Sequence, residues 1–159
     1  MRNALSVDVE DWFQVGAFEK VIRRDAWETL PRRVEANTDR VLALFERAGV
    51  RATFFTLGWV AARHPALIRR IAAAGHEIAS HGWDHRRVFT LSEKEFRADL
   101  DRAHQAIGEA GGQAPTGYRA PSFSIDARTP TSTLRDCSRK PATSGSSARG
   151  TASPASKLE

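Results

Sequence analysis

The chain has 159 residues, 41% of them hydrophobic, which is enough for one domain with a real core. No apolar run approaches the roughly 20 residues of a membrane span, and the N-terminus lacks the basic-then-apolar shape of a secretory leader. A single cysteine, Cys137, excludes an internal disulfide and a Cys-based zinc knuckle, so the expectation is a soluble, cytoplasmic protein. The net charge of +5 sits mostly in residues 127–159, which hold six basic and two acidic residues. That leaves +1 for the body, and no nucleic-acid partner is expected.

In chain order, "NALSVDVE" reads as a buried strand that ends in carboxylates, and residues 12–32 read as irregular but aromatic-rich. "RRVEANTDRVLALFERAGV" has apolar residues at helical spacing, with Gly49 as its stop. "RATFFTLGW" is β-branched and aromatic, a second strand. "HPALIRRIAAAG" places Pro65 near a helix start and Gly75 at its end, and "HEIAS" is a third strand. "TLSEKEFRADLDRAHQAIGEAGG" opens with the capping-box pair Ser92 and Glu95, and "TGYRAPSFSI" reads as a fourth strand running into a loop. Alternating strands and helices imply a parallel α/β sheet or barrel. Such folds collect chemistry at the carboxyl ends of their strands. The polar clusters "DVED", "SHGWDH" and "YRAPSF" lie at those ends.

His81 and His85, four apart with a glycine between, can grip one divalent cation on a tight loop or a helical turn. A carboxylate from "DVED" would complete a two-His, one-carboxylate hydrolytic site, and a second carboxylate there would take a proton from water. Arg119 offers a fixed cation to orient that base through a bidentate contact. His64, His76 and His104 are assigned to structure.

Taken together, "SVDVED", "ATFFTLGW", "GHEIASHGWDH" and "GYRAPSFSI" resemble the NodB-homology polysaccharide deacetylases, carbohydrate esterase family 4. "DVEDWFQV" with "RVEANTDRVLALF" is most similar to the deacetylases that accompany exopolysaccharide and exosortase gene clusters. The resemblance spans residues 3 to about 126. It implies the N-terminal portion of a distorted (β/α) barrel and a divalent metal, most commonly zinc. The implied reaction is hydrolysis of N-acetyl groups on the amino sugars of a polysaccharide. Carried over by motif, Asp8 is the catalytic base, Arg119 holds it, and the metal ligands are His81, His85 and Asp11, with Glu10 as the alternative to Asp11. The backbone N–H of Ser122 is the oxyanion donor.

The chain also departs from the family. Ser122 stands where an aromatic is usual, with Phe123 displaced by one. The family's late Leu-x-His, whose histidine is the general acid, has no counterpart, since no histidine follows His104. Residues 127–159 contain seven Ser, five Thr and five Ala, with no aromatic, Val or Ile, so a disordered tail is expected. A frameshift near residues 127–131 would produce that composition. The expectation is therefore a partial deacetylase domain over 1–126, weakly active or inactive, with exposed strand edges that favour aggregation. Two other readings remain open: an amidohydrolase of the same fold acting on a small amide, and a non-catalytic metal- or sugar-binding module.

Overall fold

The computed structural model describes residues 3–126 and 129. The expected disordered tail and frameshift lie outside the described residues, Thr129 apart. The order of elements is β1 (Ser6–Val9), α1 (Val34–Ala48), β2 (Thr53–Thr56), α2 (Gly58–Arg63), α3 (Pro65–Ala73), β3 (Glu77–Ser80) and α4 (Glu93–Gly111). Short 3-10 turns lie between β1 and α1, before α4 and at Pro121–Phe123.

The three strands form one parallel sheet in the order β1-β2-β3. Their register sets two kinds of row. Val7, Phe54 and Ile78 pair across the sheet on the face that packs against the helices, and Asp8, Phe55 and Ala79 pair on the other face. Phe54, Leu57, Val60, Leu67, Ile68, Ile71 and Ile107 are fully buried in one cluster under the helical layer. Each such side chain contributes about 1.5–3 kcal/mol of burial.

The helices follow their sequence signals closely. α1 stops at Gly49 in the left-handed region (φ 63°), where Gly avoids a Cβ penalty. α3 starts on Pro65, whose missing N–H is no loss at a helix start. α4 carries the reciprocal Ser92–Glu95 capping box. Two expectations are corrected. "GW" at 58–59 opens α2 rather than ending a strand. The fourth strand is, among the described residues, a single parallel bridge between Ser80 and Tyr118, after which the chain turns at Pro121–Phe123.

Segment 12–32 folds back over the sheet edge as an aromatic cluster. Phe13, Trp27 and Trp59 pack mutually at 5.6–6.0 Å between ring centroids. Asp11 anchors this segment. It is buried (1% exposed), and it accepts the N–H of Trp12 at 2.9 Å on Oδ1 and those of Arg33 and Val34 at 2.8 and 3.2 Å on Oδ2. Arg33 makes no side-chain cap of its own, so Asp11 satisfies the start of α1 from 22 residues away and places a negative charge at its positive end.

Asp11→Ala is expected to lower unfolding free energy by about 2–4 kcal/mol, because it leaves charge-assisted donors unpaired in a buried place. Urea titration followed by circular dichroism would measure it. A loss below about 0.5 kcal/mol would contradict the anchoring role.

Candidate metal and acid-base site

Parallel register brings the ends of β1 and β3 to one edge. Val9, Thr56 and Ser80 are aligned, so Glu10 and His81, the next residues of β1 and β3, leave the sheet at the same level. Side chains on a strand alternate faces, so Ser6, Asp8 and Glu10 share the face away from the helical core. Among the described residues, the one cluster of His, Cys, Asp and Glu able to hold a metal is Glu10, His81 and His85, whose donor atoms all lie within 4.8 Å of one another.

His81 is buried, and its Nδ1 lies 2.8 Å from the Arg119 carbonyl oxygen. A carbonyl can only accept, so Nδ1 carries the proton and Nε2 presents its lone pair, the arrangement usual for a metal-ligating imidazole. His85 Nε2 lies 3.4 Å from Glu10 Oε2. That is close to the edge of a tetrahedron with bonds of about 2.1 Å, the zinc–nitrogen and zinc–oxygen length. His85 is held with a positive φ of 60°, and Ser122 and Phe123 share that left-handed conformation at 52° and 51°. These are the only non-glycine residues of this kind among the described residues, and His85 is one of the three residues of the cluster.

The electrostatics leave the cluster short of positive charge. Burial, and then the neighbouring Asp8 carboxylate, push Glu10 up to about 7. Burial, and then His81, push His85 down to about 4. Burial also lowers His81. The His85–Glu10 contact is therefore not an ion pair: the imidazole has lost its proton before the carboxyl ionises. Glu10 Oε2 is buried without a hydrogen-bond partner. Two neutral imidazoles and a buried, orphaned carboxylate oxygen fit a divalent cation as the missing partner.

Beside this cluster, Arg119 Nη1 donates to Asp8 Oδ1 at 2.7 Å, Nη2 donates to Ser6 Oγ at 2.7 Å, and the guanidinium lies 3.9 Å over the Phe55 ring. The sequence reading of a bidentate contact is corrected here. Arg119 grips Asp8 with one nitrogen and Ser6 with the other, which leaves Asp8 Oδ2 outside the pair. Ser6 goes unnoticed in the sequence, although its i, i+2 spacing from Asp8 puts both on one face.

The expected ligand Asp11 is also corrected. Its oxygens are engaged by the backbone N–H groups of Trp12, Arg33 and Val34, and it is Glu10 that the structure brings to the two histidines. Ser122 lies in the Pro121–Phe123 turn. A Cβ added to Gly16 would fall 3.0 Å from its Oγ and 3.3 Å from Arg87 Nη2, so this turn closes against the segment that follows β1. The three histidines assigned to structure take no part. His64 Nδ1 meets Glu35, His76 Nδ1 accepts from the Ala52 N–H, and His104 is buried in α4. A cavity of about 500 Å³ lies elsewhere, between α1 and the C-terminal end of α3. No helix of the described residues is long and apolar enough to cross a membrane.

Glu10 makes a signed prediction for the metal-free chain. Its folded pKa (about 7) exceeds its unfolded value (4.5), so the folded state keeps the proton longer. Its effect on stability is absent below pH 4.5, and stability then falls as pH rises from 4.5 to about 7. Glu10→Gln cannot ionise. In chelator it is expected to match wild type at pH 4 and to exceed it by about 1–3 kcal/mol at pH 8, read by urea unfolding. Equal stability at both pH values would contradict the uncompensated charge.

The polysaccharide deacetylase family model matches residues 25–138, a stretch that contains His81, His85 and Arg119 and begins after Asp8 and Glu10. Peptidoglycan-N-acetylglucosamine deacetylase PgdA of Listeria monocytogenes is 34% identical over 89 residues, 56% of this chain and 19% of that protein. A chitin deacetylase of Colletotrichum lindemuthianum is 36% identical over 95 residues, 57% of this chain and 38% of its own length. The chain thus spans well under half of these curated relatives. Among solved structures, a Mycobacterium smegmatis protein assigned to the polysaccharide deacetylases aligns with a TM-score of 0.68 and 31% identity, over 85% of this chain and 48% of that one. The family 4 carbohydrate esterase of Streptomyces lividans, solved with acetate, aligns at 0.62 over 84% of this chain and 57% of that one. At 24% identity, it speaks for the fold alone. By sequence and by α/β architecture, the chain belongs to the polysaccharide deacetylase family.

Proposed function

We propose that the site serves metal-dependent removal of N-acetyl groups from the amino sugars of a polysaccharide. The observation that carries this reading is the meeting of Glu10, His81 and His85 beside the Asp8–Arg119 pair. A divalent cation, with zinc favoured by the two imidazoles and one carboxylate, would supply there a charge that polarises an amide carbonyl and makes water more acidic.

The remaining roles fall to the chain's own groups. Asp8 is the base that takes a proton from the attacking water. Arg119 fixes Asp8 in place through its Nη1 donor. The Ser122 N–H, in a turn of positive φ, is the donor for the developing oxyanion. Glu10 replaces Asp11 as the carboxylate ligand in this reading. The relatives' names point to peptidoglycan and chitin. The "DVEDWFQV" stretch instead favours an exopolysaccharide as the polymer in this chain.

Acetate release from N-acetylglucosamine oligomers with added zinc tests the reading. The expected result is chelator-sensitive release that falls to background in Asp8→Asn, a base typically being worth 10²–10⁴-fold. Zinc affinity should survive Asp8→Asn within a few-fold and fall at least 100-fold in His81→Ala and Glu10→Ala, roughly the loss expected with one ligand gone. Zinc affinity indifferent to both ligand substitutions would sink the assignment.

A further inference from the structure

The stretch His81–His85 must reverse direction between its two imidazoles and still present both to Glu10. Its first half hangs from neighbouring backbone. The His81 N–H bonds the Thr56 carbonyl at 2.9 Å, and the first turn of α2 donates from Gly58 to the Gly82 carbonyl at 2.9 Å and from Trp59 to the Trp83 carbonyl at 3.0 Å. The first of these bonds fixes the His81 amide, and the other two fix loop carbonyls. The amide of Trp83, at the midpoint of the loop, is taken by a side chain from another part of the chain: it donates to Asp99 Oδ2 on α4 at 3.0 Å.

The same oxygen presses on the preceding residue. Gly82 has φ 78°, and a Cβ there would meet Asp99 Oδ2 at 2.9 Å. The glycine between the two imidazoles is thus required both by its left-handed backbone and by the close approach of Asp99. One turn further along α4, the Arg102 guanidinium lies 3.6 Å over the Trp83 ring. α4 therefore holds the middle of the loop by its amide and by its indole, while the two imidazoles at its ends stay free to face Glu10.

We propose that Asp99 is a positioning residue for the metal loop, setting the mutual orientation of His81 and His85 through the Trp83 amide while touching neither cation nor substrate. The inference rests on the cation site proposed above. Removal of groups that orient metal ligands typically weakens metal binding by about 10–100-fold.

The test is zinc titration of the full chain, with the visible spectrum of the cobalt(II)-substituted protein as a readout of ligand geometry. In Asp99→Ala, the zinc dissociation constant is expected to rise about 10–100-fold and the cobalt bands to shift or weaken. Asp99→Asn keeps an acceptor for the Trp83 N–H, and it is expected to retain wild-type bands and an affinity within about 3-fold, as an intact hydrogen bond implies. If Asp99→Ala fails to fold, Asp99→Leu, which fills the site without an acceptor, takes its place in the comparison. A folded Ala or Leu variant with wild-type affinity and spectrum would overturn the inference. So would an Asn variant as impaired as Ala, since charge rather than the hydrogen bond would then be responsible. If wild-type zinc binding is itself unaffected by His81→Ala, the fault lies with the cation site and not with Asp99.

Discussion

Arg119 joins the two chemical halves of the site through opposite ends of one residue. Its carbonyl accepts from His81 Nδ1 and so sets the tautomer that turns Nε2 toward Glu10 and His85. Its guanidinium holds Asp8 and Ser6 at the far side of the cluster. Its own N–H bonds the Ser80 carbonyl at 2.9 Å, and Ser80 in turn donates to the Gly117 carbonyl at 2.8 Å. The single bridge at Ser80 and Tyr118 is thus small as sheet structure but large in consequence. If the strand slid by one residue, the carbonyl would leave His81 and the guanidinium would leave Asp8 together. Because the pair is partly exposed, with side chains 25% and 33% accessible, its value lies more in geometry than in stability.

The charges around Glu10 show the same preference for function over stability. A carboxylate is buried beside a second carboxylate, with two imidazoles too desolvated to accept a proton near neutrality. A domain built only for stability would place an apolar side chain or a cation there. One of the cluster's own residues, His85, is held in the left-handed region that non-glycine residues rarely adopt. Strain and uncompensated charge coincide at one spot. Elsewhere the described core is conventional, with aliphatic and aromatic side chains packed between a parallel sheet and its helices.

Much of this was readable from residue order, for reasons that are local. Gly49, Pro65 and the Ser92–Glu95 box mark helix ends because capping is decided within a few residues, and β-branched runs mark strands for a similar reason. His81 and His85 are visible as a pair because a tight loop brings them together whatever surrounds it. α2 is harder to see. Its Gly58 and Trp59 continue an aromatic run, and the helix begins only because its first amides can reach the Gly82 and Trp83 carbonyls. Asp99 carries no signal at all, since an acidic residue on an amphipathic helix looks like solvated surface until the 81–85 loop is folded onto it.

The three carboxylates of "DVED" show where a stricter reading of the same letters would have gone further. On a strand, positions 8 and 10 point one way and position 9 the other, so Asp8 and Glu10 share a face. Asp11 lies past the end of β1, where the chain turns, and it is buried, a place where an unpaired carboxylate would be intolerable. The start of α1 supplies what it needs: free backbone N–H groups and the positive end of a helix. Motif spacing alone allows either Glu10 or Asp11 to join the histidines, but strand parity together with the unsatisfied start of α1 separates them. The acidic residue that looks most expendable in sequence is thus the one that secures segment 12–32 against the sheet, and Glu10 is left to face the imidazoles.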